Sequence, residues 1–254
     1  NDTDLRGYDW YGVSMTSATG AWATGSGSGT YRIIYTSDGG VTWAVQKEGN
    51  GTLRSISFSG SSNGLAVGDG MILYTTTGGT TWAASADTDI GTTRYNRVVV
   101  SGVRAIVVGV GGKVLTNSDI TAANGGDWLI KTSGTTSSLY GVALSGSNAI
   151  AVGDWAVAYS SNWGNTWAMS TSSKVVGYKM RGVCFAGGAS LAWAVGERGR
   201  LVKSTDSGIN WSVVYADNVA NLLSISATGP SSGILSGAQG TLSRYDGTSW
   251  TVHT

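Results

Sequence analysis

Three acidic residues each follow a short apolar run that ends in glycine. Asp69 follows Ala66-Val67-Gly68, Asp154 follows Ala151-Val152-Gly153, and Glu197 follows Ala194-Val195-Gly196. Two carboxylates held about 5–9.5 Å apart are what glycoside hydrolysis needs, and these three are spread over separate stretches of chain. Arg54, Arg181, Arg198 and Arg200 supply guanidinium groups, whose planar fork matches a carboxylate. Trp155 and Tyr140 add ring faces beside them. The lone cysteine, Cys184, sits in Val183-Cys184-Phe185 and reads as a small core residue. A catalytic thiolate would need an imidazole, and the one histidine is His253, next to the C-terminus. The closest acid pairs, Asp2-Thr3-Asp4 and Asp87-Thr88-Asp89, read as solvated loops rather than metal ligands, so no metal and no cofactor is expected.

The elements that must position these residues are repeats. Six glycine-rich turns end on a tryptophan: Trp43, Trp82, Trp128, Trp167, Trp211 and Trp250, at intervals of 39, 46, 39, 44 and 39 residues. An interval near forty marks one folding unit copied along the chain. Repeat two shows its four pieces. Leu53–Phe58 alternates as a strand, Gly64–Gly68 is a short apolar strand, Met71–Thr75 a third, and Thr81–Ala84 a fourth after the turn. No window holds a helical period over three turns. Four short antiparallel strands per unit and six units predict an all-β, six-bladed β-propeller. The blades are expected at about 11–52, 53–94, 95–138, 139–179, 180–221 and 222–254 of a single 1–254 domain, with 1–10 as a tail or closing strand. A linear solenoid would need polar capping repeats, and the first and last copies are no more polar than the others.

The turn itself reads Thr36-Ser37-Asp38-Gly39-Gly40-Val41-Thr42-Trp43 in its clearest copy, and Ser204 to Trp211, with Asp206, in another. A short polar side chain there accepts backbone N–H groups of its own turn. Glycine takes the left-handed conformation without steric cost, and the tryptophan buries a large ring against the neighbouring sheet. Thr77 and Asn162 replace the aspartate in copies two and four, copy three is stretched from Ser118 to Trp128, and Asp246 is shifted by one. Such unequal copies suit a folding device better than a reactive site. The pattern resembles the Asp-box, or BNR repeat, placed between strands three and four. Combined with Ala-Val-Gly runs, it is similar to the photosystem II assembly factor propellers, with related turns in sialidases, family 74 glucanases and sortilin-type receptors. The resemblance spans residues 11–250 and implies the fold rather than an activity. A sialidase would carry an early Arg-Ile-Pro segment, where Tyr31-Arg32-Ile33-Ile34 lacks the proline.

Charged residues are 12% of the 254, with net charge +1. No basic stripe for nucleic acid exists; Arg198, Arg200 and Lys203 form a small basic spot beside Glu197. No run of about 18 apolar residues and no signal peptide is visible. The first residue is Asn1, so a preceding segment is expected to have been removed or left out. With one cysteine no internal disulfide can form. In a propeller the turns after strand two and the links between blades share one face, opposite the tryptophan turns. That face is expected to gather Asp69, Asp154, Trp155, Glu197, Arg198 and Arg200, with Arg54, Arg181 and Tyr140 at its inner rim. The expected function is non-catalytic binding of a glycan or surface protein there, by a secreted or virion-surface lectin or adhesin, as an oligomer if part of a virion or fibre. The alternative is a protein-binding assembly factor acting through Arg54, Arg181, Arg198 and Arg200, in the periplasm or thylakoid lumen. A glycoside hydrolase is the second alternative.

Overall fold

The structure, a computed structural model, describes residues 5–216 and 220–253. The polypeptide forms six four-stranded antiparallel sheets. The first holds β1 (Asp9–Met15), β2 (Ala21–Gly27), β3 (Thr30–Thr36) and β4 (Ala44–Asn50). The second holds β5 (Leu53–Ser59), β6 (Asn63–Gly68), β7 (Met71–Thr75) and β8 (Ala83–Ala84). The third holds β9 (Tyr95–Ser101), β10 (Arg104–Gly109), β11 (Lys113–Asn117) and β12 (Trp128–Thr132). The fourth holds β13 (Leu139–Ser145), β14 (Asn148–Gly153), β15 (Val157–Ser160) and β16 (Ala168–Met169). The fifth holds β17 (Met180–Phe185), β18 (Ala192–Gly196), β19 (Leu201–Ser204) and β20 (Ser212–Tyr215). The sixth holds β21 (Leu222–Gly229), β22 (Ser232–Gly237), β23 (Leu242–Tyr245) and β24 (Trp250–His253). Strand order follows the sequence in every sheet, and helical pieces such as Thr88–Ile90 are single 3-10 turns. This is the six-bladed propeller expected from the repeats. No helix among the described residues is long and apolar enough to cross a membrane.

Contacts divide the chain into two compact units, Asn1–Gly109 with Leu115–Ile130, and Val110–Val114 with Lys131–Thr254. Inside each unit the tryptophan that ends a turn packs on the preceding blade. Trp82 joins Trp22, Tyr31 and Ile33 of blade one, and Trp128 joins Leu65, Val67 and Ile72 of blade two. Trp211 lies against Ile150, Val152 and Val157 of blade four, and Trp250 stands edge-on to Trp193 of blade five, 5.7 Å between ring centres. The copies that open each unit differ: Trp43 and Trp167 are only half-buried and keep a local bond, each indole N–H donating to the carbonyl of Gly40 or Gly164. Burial against the preceding blade is thus seen for Trp82, Trp128, Trp211 and Trp250, and Trp43 and Trp167 depart from it. Of the stretch 1–10, expected as a tail or closing strand, residues 5–8 hold no strand, Asp9 and Trp10 begin β1, and 1–4 lie outside the described residues.

The polar residue of the repeated turn does the same work whatever its identity. Asp38 accepts the Thr42 N–H at 2.9 Å, Asp206 the Asn210 N–H at 2.9 Å, Asn162 the Thr166 N–H at 2.9 Å, and Thr77 the Thr81 N–H at 3.0 Å. An acceptor oxygen two bonds or so from the backbone is the requirement, and Asp, Asn and Thr all meet it. Bonds from the Thr42 side chain and backbone hold the Asp38 carboxyl down at about 2. The glycine of this turn is forced in blade five: Gly208 sits at φ +91°, and a Cβ there would lie 2.8 Å from the Ile150 side chain.

Candidate binding site

One irregularity recurs in all six blades and places the site. Each innermost strand carries a register slip near its start. The residues that the register skips are Tyr11, Arg54, Asn96, Tyr140, Arg181 and Leu223. A β-bulge of this kind re-aims the side chain of its extra residue. Opposite it the second strand ends in glycine, because the bent strand comes too close for a side chain. A Cβ on Gly68, Gly153 or Gly196 would overlap the carbonyl of Thr52, Ser138 or Lys179.

In blade two the bulge turns Arg54 onto the acidic residue that follows Gly68. Arg54 donates from Nε and Nη2 to the two Asp69 oxygens at 2.9 and 3.1 Å, a bidentate pair. Arg94 approaches the same carboxylate at 3.3 Å. The Arg54 bond is the main reason the Asp69 carboxyl lies below its ordinary range. A general acid of a glycosidase needs the opposite shift.

The second unit repeats the arrangement twice. The Tyr140 hydroxyl donates to Asp154 Oδ2 at 2.9 Å, while Asp154 Oδ1 is buried without a hydrogen-bond partner. Arg181 donates to Glu197 at 2.9 Å, and its guanidinium lies 4.4 Å over the Tyr140 ring, tying blade five to blade four. Lys179 Nζ stands 3.9 Å from Glu197 and 5.2 Å over the Trp155 ring. Trp155 itself is 56% exposed. A cleft of about 240 Å³ opens among Trp155, Gly177, Tyr178, Lys179, Glu197 and Arg198.

Of the expected contacts, Tyr140, Asp154, Trp155, Arg181, Glu197 and Arg198 lie at this end of blades four and five, whereas Arg54 and Asp69 form their own pair in the other unit. Arg200 requires correction as a ligand contact. It is 8% exposed, its guanidinium lies 3.4 Å over the Tyr178 ring, and its Nε donates to the Lys174 carbonyl at 2.8 Å. It builds the wall of the cleft. Lys203 leaves the basic spot as well, lying on β19 with its Nζ 5.3 Å over the Trp193 ring. Lys179 and Tyr178 also line the cleft; the signal in the sequence is a tyrosine and a lysine just ahead of a strand that starts with Met-Arg. No group of three or more potential metal ligands exists among the described residues.

Fold and site define a β-propeller with polar pairs on blade two and on blades four and five. Solved structures that share the fold include the following three. A structure described as YCF48 bound to D1 peptide superposes with a TM-score of 0.72 at 18% identity, covering 99% of this chain and 85% of that one. YCF48 from Cyanidioschyzon merolae gives 0.56 at 18% identity, over 94% and 95%. An ancestral GH74 enzyme gives 0.74 at 13% identity, over 98% of this chain and 38% of the enzyme. No protein family model and no curated protein matches the sequence.

Proposed function

We propose that this propeller binds a segment of another protein at the link end of blades four and five, without catalysing a reaction. The carrying observation is the charge around an exposed ring. Lys179, Arg181 and Arg198, with Arg200 behind them in the wall, stand there against Asp154 and Glu197 among the described residues, beside a Trp155 that is 56% exposed. An excess of cations next to a wet aromatic favours a segment that carries carboxylates. A structural neighbour described as bound to a peptide supports this reading of the fold. The carboxylates argue in the same direction. Glu197 and Asp69 are each engaged by two cations, so both are already occupied in holding the frame.

The test is a peptide array of twelve-residue sequences of graded charge, read at two salt concentrations alongside a glycan array. Retention of acidic peptides, weakening as salt rises, is the expected result. Retention that ignores peptide charge overturns the reading. Glycan binding in its place, with Trp155 stacking on a sugar ring, would return the site to a lectin; release of a sugar product would make it a hydrolase.

A further inference from the structure

We infer that Trp155 and Arg198 are the two side chains that grip the bound segment, and that the fold holds its backbone in an unfavourable conformation at both positions to present them. This deepens the protein-binding reading and rests on it. The turn between the second and third strands has one frame in four blades. The N–H of Asp69, Asp154, Glu197 and Ala238 donates to the carbonyl of Thr52, Ser138, Lys179 and Asn221, at 3.0, 2.9, 2.9 and 2.8 Å. The residue that follows then takes a positive φ in each: Gly70 at 65°, Trp155 at 57°, Arg198 at 60° and Gln239 at 59°. Its own N–H closes the turn in three of them, from Gly70 to the Thr93 carbonyl, from Trp155 to the Tyr178 carbonyl, and from Arg198 to Asn221 Oδ1.

Glycine suits such a position and a bulky residue does not. Blade three also uses glycine, Gly111 at φ 68°, although nothing lies within 4 Å of where a Cβ would stand. Space therefore does not dictate the choice; the backbone does. In blades four and five the chain forgoes glycine and places there the largest residue type and a cation. Packing does not account for either. The Trp155 ring is more than half exposed, and the Arg198 side chain makes no ion pair with a described residue. Both line the same cleft of about 240 Å³. Strain held at a ligand-facing turn is a recurring sign of a binding role. The chemistry of the pair follows. Arg198 takes a carboxylate, while the face of Trp155 not under Lys179 takes a neighbouring aromatic ring or methylene chain. The fitting segment therefore carries an acidic residue beside an aromatic or long aliphatic one.

The experiment compares Trp155→Gly, Arg198→Gly and Gln239→Gly with the unaltered protein, using a random glutamate–tyrosine copolymer as probe and polyglutamate and polylysine as controls. All three variants relax the same strained φ, so each is expected to melt at the native temperature or about 2–4 °C above it. The copolymer is expected to bind at least ~10-fold more weakly to the first two variants, and as in the native protein to Gln239→Gly. Polylysine is expected not to bind. If Trp155→Gly and Arg198→Gly bind the copolymer as the native protein does, the assignment of the grip falls while the protein-binding reading stands. A marked drop in melting temperature would make these side chains parts of the fold and overturn the assignment too. A native protein that ignores the copolymer sinks both.

Discussion

Replacing Trp211 by alanine separates a fastener from an ornament when it is set beside the same replacement at Trp43. Both tryptophans end the same glycine turn and both donate an indole N–H to a turn carbonyl, Gly208 at 2.9 Å and Gly40 at 3.2 Å. Only Trp211, 5% exposed, is sealed against Ile150, Val152 and Val157 of the preceding blade. A tryptophan that buries about 150–250 Å² contributes roughly 4–6 kcal/mol at ~25 cal/mol per Å². That is an upper value, since the unfolded chain already hides part of the ring. Measured truncations of buried aromatic residues run about 3–5 kcal/mol, so about 4 kcal/mol is expected for Trp211→Ala. At about 2–4 °C per kcal/mol for a chain of this size, its melting temperature should fall by roughly 8–16 °C. Trp43→Ala removes a half-buried ring and should cost about 1 kcal/mol, or a few degrees. Differential scanning calorimetry on the two variants decides. Equal shifts would refute the claim that burial against the preceding blade, rather than the turn's internal bonds, makes these residues structural.

Other outcomes follow from the same geometry. The Asp38 carboxyl is depressed to about 2 by bonds from Thr42 and Thr36. A depressed carboxyl stabilises the fold above its unfolded pKa, and that contribution is lost as pH falls from about 4 to 2. Asp38→Asn should therefore flatten the acid limb of a melting-temperature profile over that window. Gly153→Ala drives a Cβ into the Ser138 carbonyl, and should destabilise by about 1–3 kcal/mol, read as a lower denaturant midpoint. The Cys184 thiol, pushed up to about 12 by burial, should resist a thiol-specific reagent in the native protein at pH 8 and react on unfolding. Arg200→Met removes the stack on Tyr178 and the bond to the Lys174 carbonyl. It should lower the melting temperature by several degrees through a loss of about 2 kcal/mol.

The blades were legible because the repeat signals agree with one another. Alternating apolar residues set the strands, glycine sets the turns, and tryptophan marks the outer strand; each of these acts locally, so sequence spacing carries it. What spacing could not carry was the bulge. At Arg54, Tyr140 and Arg181 one extra residue slips the register, and alternation read straight through it gives no hint of where the side chain turns. The trace it leaves is indirect: a glycine at the end of the facing strand, which reads as a turn signal unless the close approach of Thr52, Ser138 or Lys179 is known. Arg200 misled for a related reason. Its position in a turn suggested solvent, but the link residues Lys174 and Tyr178 fold over it, and a link's path depends on contacts remote in sequence.

The bulge and the turn also explain why each of these polar pairs forms. The bulge carries a residue off the inner strand toward the link end, the glycine opposite permits the approach, and the acidic residue after that glycine receives it. Arg54–Asp69, Tyr140–Asp154 and Arg181–Glu197 are three outputs of this one device. The two arginine pairs satisfy themselves and fix the frame, whereas Asp154 keeps one oxygen without a partner. The proposed grip uses the residues next in sequence, where the backbone turns left-handed. Glycine keeps that position silent in blades two and three, whereas Trp155 and Arg198 occupy it beside a single cleft. A scaffold that repeats its bulge in every blade, while varying the side chains on the bulge and on the turn after strand two, can change what it presents without changing how it folds.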